Sequence, residues 1–128
     1  MLEVKNIRAG NRLQLKESAT TVTILQLEKD GFLLDAFPQS IFCPAANVAG
    51  IPLTTTLLKK LLFTNENNEN EWTGNGITLT EKPDGFFYGL RILKSKAKMQ
   101  YLHELQNYVE DFYSVFRQEV YSLDITLL

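Results

Sequence analysis

The sequence is poor in the residue types that most often carry chemistry. It holds one histidine, His103, and one cysteine, Cys43, in 128 residues. A lone cysteine cannot close an intramolecular disulfide, which fits a reducing compartment. One imidazole and one thiol fall short of the paired ligand spacing that a zinc site needs. A nucleophilic cysteine needs a base, and Cys43 with His103 is the only such pair the sequence offers. No apolar run approaches the ~20 residues that span a bilayer, so no membrane span is expected. The opening MLEVKNIR lacks a basic segment leading into a long apolar run. No secretory signal is therefore expected, and the default location is the cytoplasm. Charge of one sign is missing too: 13 Lys and Arg oppose 15 Asp and Glu, a net charge of −2. Such a balance provides no general field for nucleic acid or an anionic membrane, although a local basic patch stays open. Nothing points to a cofactor.

What is present is ordinary globular material, 45% hydrophobic and 22% charged. A chain of this length can bury most of its apolar surface without metals or staples. The first fifty residues read as strands. Leu13 and Leu15 alternate with Arg12, Gln14 and Lys16 after a Gly10-Asn11 turn. TTVTILQL, Thr20 to Leu27, is rich in β-branched residues. Alternation puts Val22, Ile24 and Gln26 on one of its faces, with Leu25 and Leu27 on the other. Lys29-Asp30-Gly31 reads as a hairpin turn with glycine supplying positive φ, and FLLDAF (Phe32 to Phe37) returns. Ile41, Phe42 and Val48 add short strand material around Pro44.

At Pro52 the pattern changes. Thr54 or Thr55 can cap a helix in which Leu57, Leu58, Leu61 and Leu62 form one face and Lys59 and Lys60 the other. TNENNENE, Thr64 to Glu71, reads as a solvated loop without the spacing of a calcium site. Gly74-Asn75-Gly76 and Lys82-Pro83-Asp84-Gly85 are turns flanking β-rich segments, the second closing a hairpin onto FFYGLRIL. A long helix is expected from about Met99 to Val120. Leu102, Leu105, Val109, Phe112 and Phe116 form its stripe, with Glu104, Asn107 and Asp111 largely off it. The tail YSLDITLL is apolar enough to dock as a last strand or to present a pairing edge.

The fold class these patterns predict is α+β. A β-rich lobe over residues 1–50, a small SH3-like barrel or curled antiparallel sheet, precedes a helix–β-hairpin–helix lobe over 51–128, and the lobes pack as one unit.

Chemistry is hard to assemble from these parts. Glu104, next to His103 in sequence, points about 100° away around a helix. Glu110 lies two turns on, and Glu110 and Asp111 diverge. His103 is therefore read as structural and Cys43 as a buried thiol; no catalytic or metal residues are assigned, and the chain is not expected to be an enzyme. The basic residues Arg91, Lys94, Lys96 and Lys98 lie near Phe87 and Tyr88. With Arg8, Arg12 and Lys16 they are the candidate contacts for nucleic acid, through charge and stacking.

Ile7-Arg8, Gly10-Asn11, IPLT (Ile51 to Thr54) before a Leu-rich helix ending at Phe63, DGFFY (Asp84 to Tyr88) and YLHELQNYV (Tyr101 to Val109) follow one another along the chain. In this order the chain resembles a family of short uncharacterised proteins of Bacteroidetes-type bacteria, common in prophages and mobile elements. That family typically carries PIPLTEEIL and then YVHQLQNLYF; here Glu104 stands where Gln is usual, and SVFRQEVYSL replaces a Gly-containing helix end. The resemblance implies a shared fold and a phage or mobile-element context, without a mechanism. Its motif positions are Pro52 to Thr54 and Leu102, His103, Leu105, Gln106 and Asn107. The expectation drawn from them is that His103, Gln106 or Asn107 bonds the backbone of the IPLT turn, with Leu105 and Val109 packed on the hairpin. The function expected is that of a non-enzymatic interaction or structural module with an unknown protein partner. The alternative is a nucleic-acid-binding small barrel.

Overall fold

The computed structural model describes residues 6–36, 39–66, 68–90, 96–114 and 123. The chain divides into two compact units, Met1–Ile51 with Tyr101–Asn107, and Pro52–Gln100 with Tyr108–Leu128. Among the described residues both are built mainly from antiparallel sheet, with two α-helices, so the class is α+β.

In the first unit the strands are β1 (Arg12–Leu15), β2 (Thr21–Glu28), β3 (Gly31–Ala36), β4 (Gln39–Pro44) and β5 (Val48–Ala49), with a 3-10 turn at Ala45–Asn47 before the last. They form one antiparallel sheet in the order β4-β3-β2-β1-β5. Ile7, Leu13, Ile24, Phe32, Leu34, Cys43 and Val48 are its core. Two details depart from the sequence reading. A bulge between Ile24 and Gln26 breaks the alternation of β2. Leu27, paired with Phe32, thus joins the face of Ile24, paired with Leu34, and Gln26 leaves it. In the β2–β3 turn the left-handed residue is Asp30, at φ +65°, a residue type whose short polar side chain lets it adopt αL. Gly31 is needed for space instead: a Cβ there would stand 2.4 Å from the carbonyl oxygen of Cys43 and 2.7 Å from the Phe42 ring.

The second unit holds α1 (Thr55–Lys60) and a four-stranded antiparallel meander, β6 (Glu71–Gly74), β7 (Ile77–Glu81), β8 (Phe87–Leu90) and β9 (Lys96–Met99). The expected hairpin is the middle of this sheet. Gly85, at φ +85°, closes its turn, with the Gly85 N–H donating to the Lys82 carbonyl at 2.9 Å. β9 departs from the sequence reading, in which Lys94, Lys96 and Lys98 form a basic cluster. Ala97 and Met99 are buried and alternate in sequence with Lys96 and Lys98, the period-two pattern of a half-buried strand.

Thr54 caps α1, its Oγ1 accepting the Leu57 N–H at 3.1 Å. At the other end the Leu62 N–H donates to the Lys59 carbonyl and the Phe63 N–H to the Leu58 carbonyl. This is a Schellman closure, in which the left-handed residue is usually glycine. Here it is Leu62, at φ +68°. Leu62 is therefore off the apolar face expected of it and 67% exposed. Leu62→Gly is expected to raise stability by about 1 kcal/mol, since relief of the left-handed strain costs no buried side chain. Urea unfolding of the two proteins measures it.

The second helix, α2 (Leu102–Phe112), begins three residues after the expected Met99, because Met99 completes β9. Its expected continuation to Val120 and the docking of YSLDITLL lie outside the described residues, except for Leu123, which is buried. Among the described residues no helix is long and apolar enough to cross a membrane.

Candidate functional site

The first two turns of α2 carry the densest set of buried polar groups. Glu104 closes the helix start, its Oε1 accepting the Tyr101 N–H at 2.9 Å, as the third helical residue does in a capping box. Leu102, Leu105 and Val109 are fully buried, as the stripe predicts. His103, Gln106 and Asn107 are buried as well, so this part of the helix has no polar edge.

What Gln106 and Asn107 face is the segment Asn6 to Arg12. Gly10 there takes φ +91°, and the tight path leaves main-chain groups that need partners. The two amides supply them. Gln106 Oε1 accepts the Arg12 N–H at 2.8 Å, and its Nε2 donates to the Gly10 carbonyl at 3.1 Å. Asn107 Nδ2 donates to the Asn6 carbonyl at 2.7 Å, while its Oδ1 accepts from Asn11 Nδ2 at 2.9 Å. Asn11, 1% exposed, completes the set by accepting the Arg8 N–H at 2.7 Å. Four hydrogen bonds thus tie the helix to the N-terminal turn, between residues about a hundred positions apart in the chain, and the Arg8–Asn11 bond braces the turn itself.

The expected bonding to the IPLT turn is corrected by this geometry. That turn is tied by main chain: the Leu102 N–H donates to the Ile51 carbonyl at 2.8 Å, and the Leu53 N–H to the Gln100 carbonyl at 2.9 Å. The amides of Gln106 and Asn107 are already spent on Asn6, Gly10, Asn11 and Arg12. Pro52 is exposed, and Thr54 spends its hydroxyl on the α1 cap.

His103 is 2% exposed, and its Nδ1 has no hydrogen-bond partner. Its ring stacks on Tyr101, centroids 5.7 Å apart and planes 12° from parallel. Tyr101 in turn lies against Gly50, where a Cβ would meet the ring at 2.6 Å. Burial pushes the imidazole pKa down, against a weaker upward pull from Glu104. The ring is thus enclosed, and burial favours its neutral form. Cys43 offers no ready nucleophile: its Sγ donates to the Pro44 carbonyl at 3.6 Å, and burial raises its pKa. The hydrogen bonds around both groups show no thiol–imidazole pair among the described residues.

Asp84 is engaged as well. In the β7–β8 turn Asp84 accepts the Tyr88 hydroxyl at 2.6 Å and the Phe86 N–H at 2.9 Å. The Tyr88 bond first, then the backbone bond, hold Asp84 below the usual carboxylate range, and the same bond raises Tyr88. Among the described residues no cluster of three His, Cys, Asp or Glu could hold a metal.

Of the basic candidates, Arg8 and Lys16 are exposed in the first unit. Arg12 is half-buried there, with an Nε that is enclosed and without a partner. In the second unit Lys98 places its Nζ 4.0 Å from the Phe86 ring centroid, and Lys96 is the first residue of β9. Arg91 and Lys94 lie outside the described residues. Sequence reasoning missed Asn11, the partner of Asn107. The signal was an amide residue in a Gly-Asn turn with further amides at adjacent positions on a helix. No protein-family model, curated protein or solved structure matches this chain.

Proposed function

We propose that this chain is a non-enzymatic interaction module of the cytoplasm, working in a phage or mobile-element setting with a protein partner. The observation that carries the reading is the commitment of its polar side chains. Both amides of Gln106 and Asn107 are used on main chain or on Asn11, His103 is enclosed, and the Cys43 thiol turns to its neighbour's carbonyl. Polar groups engaged in this way specify geometry, since leaving one unpaired costs about 1–3 kcal/mol. Function then falls to the surface, where β4 ends its sheet among the described residues with Ile41 and Phe42 half exposed. Edges of that kind accept a further strand.

The finer reading of the first unit is an SH3-like barrel. It is supported by the long β2 shared between β1 and β3 and bulged midway, the 3-10 turn after β4, and the return of β5 to β1. Small barrels host many functions, so the shape adds nothing about the partner.

A second reading, nucleic-acid binding, draws on one observation. Lys98 and Phe86 form a cation–aromatic pair, with Tyr88 on β8 directly across from Lys98. Fluorescence anisotropy with single- and double-stranded oligonucleotides at two salt concentrations separates the readings. The expected result is no binding at low salt. Affinity that falls steeply with salt would transfer the assignment to nucleic acid.

A further inference from the structure

The edges of the two sheets are not alike. β5 is two residues long. β6 is capped by a bridge in which Thr64 and Thr73 exchange both N–H···O=C bonds, at 2.9 and 2.8 Å. β9 carries Lys96 and Lys98, and lysine on an edge strand opposes pairing with another chain. β4 has none of these protections. It is six residues long, Gln39-Ser40-Ile41-Phe42-Cys43-Pro44, without an acid or a base, and it ends its sheet among the described residues. Ile41 is 54% and Phe42 50% exposed.

The geometry points to a second copy of this chain as the occupant of that edge. We infer an antiparallel β4–β4 pairing about a twofold axis, which joins the two sheets into one. The inference rests on reading the chain as an interaction module. Residues facing each other in an antiparallel ladder share a face. A twofold pairing therefore centres on Ile41 or on Phe42, never between them. Centring on Phe42 would set Ser40 opposite Pro44, which has no N–H to give the ladder. Centring on Ile41 sets Ile41 against its own copy, Ser40 against Phe42 and Gln39 against Cys43. Every pair is uncharged, so the strand is complementary to itself. A charged partner strand would find no counter-charge on it.

The size of the contact sets its strength. A half-exposed large apolar side chain offers roughly 100 Å², so Ile41 and Phe42 together supply about 200 Å² per copy, against the ~800 Å² per partner of a stable complex. The dimer is accordingly weak and reversible, with a dissociation constant on the order of 100 µM.

Sedimentation velocity from 5 µM to 1 mM tests this (about the span such a constant requires). The wild type is expected to shift from monomer to dimer across the range. Ser40→Lys is expected to stay monomeric throughout. Ser40 is exposed and pairs with Asp35 on β3, so the lysine gains an opposite charge across the strands and the fold tolerates it, as circular dichroism would verify. As a second probe, Ile41→Cys combined with Cys43→Ser is expected to cross-link into a dimer under mild oxidation. Leu62→Cys combined with Cys43→Ser is expected not to. A wild type that stays monomeric at 1 mM, or a dimer that persists in folded Ser40→Lys, overturns the inference. If the monomeric wild type captures a foreign protein that Ser40→Lys loses, self-pairing is wrong and the module reading stands. A monomer that captures nothing ends both.

Discussion

Asn107→Asp is expected to lower the free energy of unfolding by about 3 kcal/mol at pH 7, a large effect for a near-isosteric change. The side chain keeps its size and its Oδ1, so the bond from Asn11 Nδ2 can persist. The other end reverses: where Nδ2 donates to the Asn6 carbonyl at 2.7 Å, a carboxylate oxygen would face a carbonyl oxygen. The carbonyl loses its donor, and a charge is placed at a site only 9% exposed. Each change alone costs one to a few kcal/mol. Against a total stability of about 5–15 kcal/mol for a typical domain, a loss of this size leaves the native state marginal. Chemical denaturation with two spectroscopic probes gives the number. The aspartate variant should recover part of its stability in mild acid, where protonation removes the buried charge. A double-mutant cycle between Asn11→Ala and Asn107→Ala should show a coupling of about 1 kcal/mol. Loss of less than about 0.5 kcal/mol in Asn107→Asp, the range of an ordinary surface substitution, would mean that the lock between helix and turn is decorative.

The same residues mark where the sequence was readable. The strands around Leu13, Ile24 and Phe32, the cap at Thr54 and the turn at Gly85 follow from local rules, because each signal and its consequence lie within a few residues. β9 obeyed the period-two rule as well, but Lys96 and Lys98 belong to a run of lysines that reads as a charge cluster before it reads as one face of a strand. The bulge in β2 was beyond reach: one extra residue moves Leu27 onto the face of Ile24, and alternation carries no mark of it. Of the candidate site, the helix stripe Leu102, Leu105 and Val109 was legible and the role of Gln106 and Asn107 was not. Amides on a helix look alike whether they meet water or a buried turn. The difference is made by Asn6 to Arg12, some hundred residues upstream, and no local pattern encodes that meeting.

His103→Ala is expected to cost about 3 kcal/mol, and His103→Leu far less, less than about 1 kcal/mol. The imidazole fills space that is almost closed to solvent and rests on Tyr101. Alanine leaves a cavity there and removes the stacking. Leucine refills most of the volume and also removes an Nδ1 that lacks a partner, so the polar atom it deletes was contributing no bond. If the ring were instead working through a hydrogen bond, the two variants would fall together. Acid supplies an independent check on the same ring. Burial lowers the pKa of His103 in the folded state below the 6.5 of a free histidine. Above 6.5 both states are neutral at this position and the contribution is constant. As the pH falls below that value, the unfolded chain takes up the proton first, so stability drops, down to the folded-state pKa. Comparing urea midpoints between pH 7.5 and 5 should show wild type losing more stability than His103→Leu, which has no proton to bind here. Equal slopes would place the acid sensitivity elsewhere. Binding is the third readout, because an architectural ring predicts that His103→Leu, still folded, retains whatever partner the wild type holds. A well-folded His103→Leu that lost its partner would move this imidazole from the core to the interface.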